Sequence, residues 1–192
     1  LFPYIAFRKA KKLHQKKPYQ GVWSIMAAYA GFATSFFKKR YPDVPFILTL
    51  QEGDPPEYIR RKVRFVRPLF RNIFKRADKI QAISSYLGIF AKEEGAKVAP
   101  IVIGNGVDVS LFSKKITVGE RQTLRRPYGI DDNDIVLFTA SRLVTKNAVD
   151  VIMRSLVLLS PTVKLVIAGD GPERLRLESL AKEQGVSNRV CF

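Results

Sequence analysis

The stretch Ala140-Ser141-Arg142-Leu143-Val144-Thr145-Lys146-Asn147-Ala148-Val149-Asp150 decides the fold of this chain. Before it runs Ile135-Val136-Leu137-Phe138-Thr139, a continuous apolar segment of the kind found in strands buried on both faces. After it, residues 149–159 alternate apolar and polar positions at helical spacing. Arg142 and Lys146 therefore fall in a loop between the carboxyl end of a strand and the start of a helix. Open α/β sheets bind ligands outside the carboxyl ends of their strands, and helix N-termini attract anions. Cations at a helix start are otherwise unfavourable by about 0.3 kcal/mol or more. The pair thus points to a bound anion, and two cations suit a diphosphate. A second strand-loop-helix follows in Lys164-Leu165-Val166-Ile167-Ala168-Gly169-Asp170-Gly171-Pro172-Glu173.

Working outward, strands are expected over residues 21–25, 45–50, 79–83 and 98–103. Helices are expected over residues 2–17, 27–39, 56–75 and 86–94. The helix over 56–75 should be long and basic, kinked at Pro68, and Ser84 or Ser85 should cap the helix that follows. Such alternation predicts an α/β fold with parallel sheets covered by helices. From Asp108 to Asp134 the pattern breaks into polar sequence that reads as loop, with a linker over residues 107–112. Two Rossmann-like parallel-sheet domains are expected, residues 1–107 and residues 108–192.

Composition narrows the function classes. The 192 residues are 46% apolar, enough for one or two small cores. No apolar run approaches the length of a membrane span, and residues 1–4 lack the pattern of a secretory signal. The single cysteine, Cys191, excludes an internal disulfide, suits a reducing cytosol, and reads as a small apolar strand residue. His14 lies among lysines and reads as exposed and inert. One His and one Cys cannot build a zinc site, so no metal is expected. The net charge of +16 is uneven: residues 1–80 carry 18 Lys and Arg against 5 Asp and Glu, a net +13. That asymmetry suggests an anionic partner surface, lipid or nucleic acid, for the first half.

Four motifs in order carry a family resemblance. Residues 76–84, Arg-Ala-Asp-Lys-Ile-Gln-Ala-Ile-Ser, resemble "R-A-D-x-I-x-x-x-S". Ile103-Gly104-Asn105-Gly106-Val107-Asp108 with Phe112 resembles "I-P-N-G-V-D-x-x-x-F". The opening stretch resembles "S-R-L-V-x-K-x-G-x-D", and Ile167 to Pro172 resembles "I-x-G-D-G-P". Together they resemble group 1 retaining glycosyltransferases of the GT-B fold. The chain departs from that pattern at Gly104, where Pro is usual, and at Ala148, where Gly is usual. It departs again after Thr49-Leu50, where a His is common and Gln51-Glu52-Gly53-Asp54 stands instead. The family's glycine-rich loop would precede Leu1 and its "E-x7-E" segment would follow Phe192. The resemblance therefore implies a chain truncated at both ends and inactive as it stands.

The resemblance implies an acceptor-side first domain and a donor-binding second domain. The full enzyme would transfer a hexose from a nucleotide-diphosphate sugar to an acceptor hydroxyl with retention, in surface polysaccharide or glycolipid synthesis. Arg142 and Lys146 would stabilise the leaving diphosphate as catalytic residues. Gly169, Asp170 and Gly171 would form the donor-binding turn, with close approach of the nucleotide as the use of the glycines; a plain tight turn is the alternative, and Asp170 reads as structural. Asn105 and Gly106 would lie at the cleft, and Glu52 and Asp54 would meet the acceptor. No cofactor is implied, only the nucleotide sugar as donor, and no Asp-x-Asp metal pair is expected at the site. The partners would be the nucleotide sugar, a glycan or lipid-linked acceptor, and an anionic membrane surface, placing the protein in the cytoplasm and peripherally at the inner face of the membrane. The rival is a basic nucleic-acid-binding α/β module without catalysis. Its basic and aromatic residues at 64–67 and 70–75 would face phosphates, but those aromatics recur at helical spacing, which favours a core.

Overall fold

A computed structural model describes residues 1–192. It is α/β throughout and divides into two compact units, Leu1–Asp108 and Val109–Phe192.

The first unit is built on four parallel strands in the order β1 (Val22–Ile25), β2 (Phe46–Leu50), β3 (Lys79–Ala82) and β4 (Ile101–Val102). Its helices are α1 (Phe2–Lys16), α2 (Ala30–Arg40), α3 (Pro56–Lys62), α4 (Arg67–Arg76) and α5 (Ser85–Glu93). One sheet face is apolar because Phe46, Leu48, Leu50, Ile80 and Ala82 alternate onto it. There they pack with Phe70, Ile73, Phe74, Leu87 and Phe90 from α4 and α5. The Phe74 ring lies 5.2 Å from that of Phe70 and 5.7 Å from that of Phe90, in edge-to-face geometry. Each such Phe contributes about 3 kcal/mol at most by burial. The opposite sheet face leaves Trp23, Ile25 and Ile47 exposed.

The expected helix over residues 56–75 is not continuous. It splits into α3, a 3₁₀ turn at Arg64–Val66, and α4. Pro68 is the reason. It has no N–H to donate into a preceding turn, and here it occupies the first turn of α4. Both new helices start on proline-containing turns. The strand expected at 98–103 shrinks to two residues, and the helix expected from 27 starts at Ala30. Ser84 caps α5 as its side chain accepts from the Leu87 N–H.

Across the fold two ionic groups are held tightly. Glu94 is fully buried beside Arg60 (2.7 Å) and Arg67 (3.3 Å), while Arg60 also meets Glu93 (2.6 Å). Asp78 bridges Lys38 (2.7 Å) and the Phe46 N–H, tying α2 to the start of β2. His14 is not exposed among lysines. Its Nδ1 accepts from the Tyr19 N–H at 2.9 Å, and its ring stands 4.3 Å from Tyr41 and 5.1 Å from Phe37.

The second unit has three parallel strands in the order β5 (Ile135–Ala140), β6 (Val163–Ala168) and β7 (Val190–Cys191). Helices α8 (Val149–Leu156) and α9 (Arg174–Glu183) supply Val149, Met153, Leu156, Leu177 and Leu180, which meet Leu165 and Ile167 in the core. The polar stretch before β5 is not loop alone. It holds the short α6 (Val109–Phe112) and α7 (Val118–Arg125), the latter started by a capping box in which Thr117 and Glu120 exchange hydrogen bonds.

Candidate functional site

In the second unit, strands β5 and β6 run side by side, so their carboxyl-end loops emerge together. Backbone groups join those loops directly. Ser141 N–H donates to Ala168 O (3.0 Å), Leu143 N–H to Asp170 O (2.9 Å) and Glu173 N–H to Leu143 O (3.1 Å). The approach leaves no room for side chains. A Cβ on Gly169 would lie 1.9 Å from Ser141 O, and one on Gly171 would lie 2.4 Å from Leu143 O. The glycines are thus required by the neighbouring loop, without any ligand. Asp170 is exposed and its Oδ1 accepts from the Gly171 N–H at 2.8 Å, which shapes the turn.

With the backbone occupied in this way, Arg142 and Lys146 are exposed on the loop. Asn147 holds its form by donating to Arg142 O at 2.7 Å, and Lys146 sits in a 3₁₀ turn, Thr145–Asn147. Ala148 then takes φ 51° and ψ 35°, a left-handed conformation, before α8 begins. That conformation explains the preference for Gly at this point of the motif. The arrangement sets two cations and a helix start at one strand end, which is chemistry for an anion.

An Asp-x-Asp sequence does occur, at Asp132-Asn133-Asp134, contrary to the sequence expectation. It lies in the turn before β5, at the amino end of the strand. Its carboxylates serve the turn: Asp134 accepts from the Asp131 N–H (2.9 Å) and Asp132 from Gln122 (2.5 Å).

In the first unit, backbone bonds join the strand ends (Met26 N–H to Thr49 O, 2.8 Å; Ile83 N–H to Leu50 O, 3.2 Å; Ile103 N–H to Ala82 O, 2.9 Å), and side chains join them further. Gln51, after β2, donates to Asn105 Oδ1, after β4, at 3.2 Å. Gly106 follows in the same exposed loop, and a Cβ there would meet nothing. Trp23 Nε1 donates to Thr49 Oγ1 (2.9 Å), Thr49 Oγ1 to Gln81 Oε1 (3.1 Å), and Gln81 to Ile103 O (3.4 Å), a chain from β1 through β2 and β3 to the residue after β4. Glu52 reaches back under the loop after β1, where its Oε1 accepts from the Ala27 N–H at 2.6 Å. Its Oε2 is buried without a hydrogen bond of good geometry, although the Gln51 and Glu52 N–H groups also act on the carboxyl. Burial pushes the Glu52 carboxyl above the usual carboxylate range, and the Ala27 N–H opposes this only in part.

That loop after β1 is strained. Met26 (φ 67°) and Tyr29 (φ 53°, ψ −78°) both carry side chains at positive φ. Each costs about 1–3 kcal/mol, a strain that clusters at functional sites. Ile25, Met26, Tyr29, Glu52, Asp54 and Tyr58 line part of a cavity of about 640 Å³ at these strand ends. Of the residues the sequence named in this unit, Glu52 and Asp54 line the cavity, whereas Asn105 and Gly106 lie outside its lining; Tyr58 and the Met26–Tyr29 loop were missed. The strained loop contains neither Gly nor Asn at its positive-φ positions, so no residue type announced it. Of the aromatics set against a nucleic-acid face, Phe70 and Phe74 lie fully buried in the core, whereas Phe65, contrary to the expectation of a core, is exposed with the Arg64 guanidinium 4.4 Å from its ring centre.

Residues 120–192 match the family described as glycosyl transferases group 1. Over 130 residues the chain is 32% identical to the GDP-mannose-dependent alpha-(1-6)-phosphatidylinositol monomannoside mannosyltransferase of Mycolicibacterium smegmatis, covering 66% of this chain and 33% of that protein. Among solved structures, Anabaena Alr3699/HepE in complex with UDP superposes with a TM-score of 0.81 at 21% identity, covering 97% of this chain and 50% of that one. The same protein with UDP-glucose gives 0.75 over 95% of this chain. The chain therefore spans about a third of the curated relative and half of the solved neighbour. The fold is that of GT-B glycosyltransferases, and the match over residues 120–192 supports a place among them for the second unit.

Proposed function

We propose that this chain carries donor-binding and acceptor-side elements of a retaining hexosyltransferase that uses a nucleotide-diphosphate sugar. The carrying observation is the β5 loop. Backbone bonding to the β6 loop fixes it, and it exposes Arg142 and Lys146 beside the start of α8. In transfer, the bond from the sugar C1 to the diphosphate breaks with its electron pair leaving on the phosphate oxygen. The acceptor oxygen bonds to C1 from the same face, and its proton passes to the departing diphosphate. The two cations act on the charge that develops there, commonly the largest catalytic contribution. Gly169, Asp170 and Gly171 hold the donor-side turn in place. Asn105, Gly106, Glu52 and Asp54 serve the acceptor side.

A UDP relative and a GDP-mannose relative support the nucleotide class without choosing between them. The test is titration of the chain with UDP and with GDP. One of them should bind, and Arg142→Ala should weaken that binding by about 10-fold or more, the scale of one charge-assisted bond. No binding of either, or equal binding by the variant, overturns the reading. The basic first half is assigned to an anionic membrane at which a lipid-linked acceptor resides, in surface polysaccharide or glycolipid synthesis. No helix is long and apolar enough to cross a membrane. Attachment is assigned to the basic surface, peripherally at the inner face. Co-sedimentation with anionic but not neutral vesicles, beside a DNA and RNA titration at equal salt, tests it. Tight nucleic-acid binding without vesicle binding would reverse it.

A further inference from the structure

Gly106 is a glycine that the fold does not require. Gly169 and Gly171 are forced by the Ser141 and Leu143 carbonyls, but a Cβ on Gly106 would meet nothing within 4 Å, and its φ lies outside the left-handed region. The missing side chain leaves the Gly106 N–H open. It donates to no acceptor in the chain, and residues 104–107 are exposed, irregular backbone. Directly before it stands Asn105. Gly106 N with the Asn105 carbonyl carbon, Cα, Cβ and Cγ would make a five-membered ring. The Asn105 Oδ1 meanwhile accepts from Gln51 Nε2 at 3.2 Å. A donor on that oxygen draws electrons from Cγ and stabilises the charge that gathers on Oδ1 when a nucleophile adds. The other four asparagines are each followed by a residue with a side chain. Of these, Asn72 lies inside α4, and the Asn147 amide is held to Arg142 O.

We propose that Asn105-Gly106 is a site of spontaneous modification, at which the Gly106 nitrogen closes on Asn105 Cγ with the Gln51 amide assisting. The Gly106 N–H gives its proton to hydroxide, and the nitrogen bonds to Cγ. The Cγ–Nδ2 bond then breaks, and Nδ2 takes a proton from water and departs as ammonia. Water opens the resulting cyclic imide on either side. Opening at Cγ leaves an aspartyl residue at position 105. Opening at the main-chain carbonyl leaves an isoaspartyl residue, whose main chain runs through Cγ and is one methylene longer. Both products set a carboxylate where a neutral amide stood, in the loop that Gln51 ties to the end of β2. The isoaspartyl product also lengthens the chain leaving β4. The inference does not depend on the glycosyltransferase reading. Under that reading the modification ages the acceptor side of the protein first, because Asn105 and Gly106 serve there.

The test incubates the full chain in mild alkali and follows intact mass and peptide maps, with isoaspartate methyltransferase as the probe of the longer product. The mass should rise by one unit, mapped to Asn105 before any other asparagine, with both products present. The rate should rise from neutral pH into mild alkali, as base removes the Gly106 proton. Gly106→Ala fits the loop without a clash, yet its Cβ crowds the attacking nitrogen, so the change should slow about 10-fold or more. Gln51→Leu should slow it about 3-fold, the worth of one exposed hydrogen bond. A first change at another asparagine, an unchanged rate in Gly106→Ala, or an equal or faster rate in Gln51→Leu would overturn the proposal. The mass readout needs no nucleotide, so its outcome is separate from that of the UDP and GDP titrations.

Discussion

The two units solve one problem, how to hold loops at the carboxyl ends of parallel strands, by different means. In the second unit the β5 and β6 loops are joined through backbone groups, with glycine wherever the chains come too close for a Cβ. Asn147 and Asp170 add side-chain bonds within their own loops, and Arg142 and Lys146 stand exposed. In the first unit backbone bonds also join the strand ends, Met26 N–H to Thr49 O and Ile103 N–H to Ala82 O, but side chains add to them: Gln51 to Asn105 and Glu52 to Ala27 in the loops, and the Trp23–Thr49–Gln81 chain within the strands. A backbone lattice is indifferent to most substitutions and intolerant of a few. A side-chain lattice can be retuned one residue at a time, but each bond also fixes a group that could otherwise meet a ligand.

The largest effect tests the backbone lattice. Gly169→Ala forces a methyl group onto Ser141 O and should destabilise the second unit by about 3 kcal/mol or more, read in urea unfolding. Stability within 1 kcal/mol of wild type would mean the loops are not locked together. In the first unit, Arg60→Ala leaves buried Glu94 with Arg67 at 3.3 Å as its remaining cation. Part of the penalty is screened because Arg60 is partly exposed, so a loss of about 2 kcal/mol is expected. A smaller change has the opposite sign. Ala148 occupies a left-handed conformation, so Ala148→Gly should stabilise by about 1 kcal/mol while leaving nucleotide affinity unchanged. The smallest is a slope with pH. Glu52 has its carboxyl raised by burial, so the folded state holds a proton that the unfolded state releases above its ordinary value of 4.5. Stability therefore falls as pH rises from that value through the folded one. Glu52→Gln should flatten this part of the profile, and an unchanged slope would show that Glu52 is not its source.

Much of the architecture was legible because strand and helix periods differ. β5, β6 and α8 stood out from apolar runs bounded by Gly, Asp and Lys, and the alternation identified parallel sheets. Other parts were hidden. Pro68 carried two meanings, kink or helix start, and only the packing of Phe70 and Phe74 into the core selects the second. Thr117 and Glu120 spelled a capping box, a signal present but overlooked in a polar stretch. His14 depended on Tyr19, Phe37 and Tyr41 folding around it, which no local pattern announces. At the candidate site the residue types of Arg142 and Lys146 were readable, whereas the cause of Gly169 and Gly171 was not. Their partners, Ser141 and Leu143, are distant in sequence and meet them only through strand pairing.

Every strand pair in both sheets is parallel, and this has a kinetic consequence. No hairpin is available to start either sheet. Val22 must find Phe46, Ile47 must find Lys79 and Ile135 must find Val163, each across an intervening crossover. Loop-closure entropy is lost before any ladder bond is gained, so such sheets form slowly compared with helical bundles of equal size. During synthesis β4 emerges last of these four strands, after α4 and α5, which cover the apolar faces of β2 and β3. The chain should consequently refold in steps set by crossover closure, with α4 and α5 docking before the last strand is added.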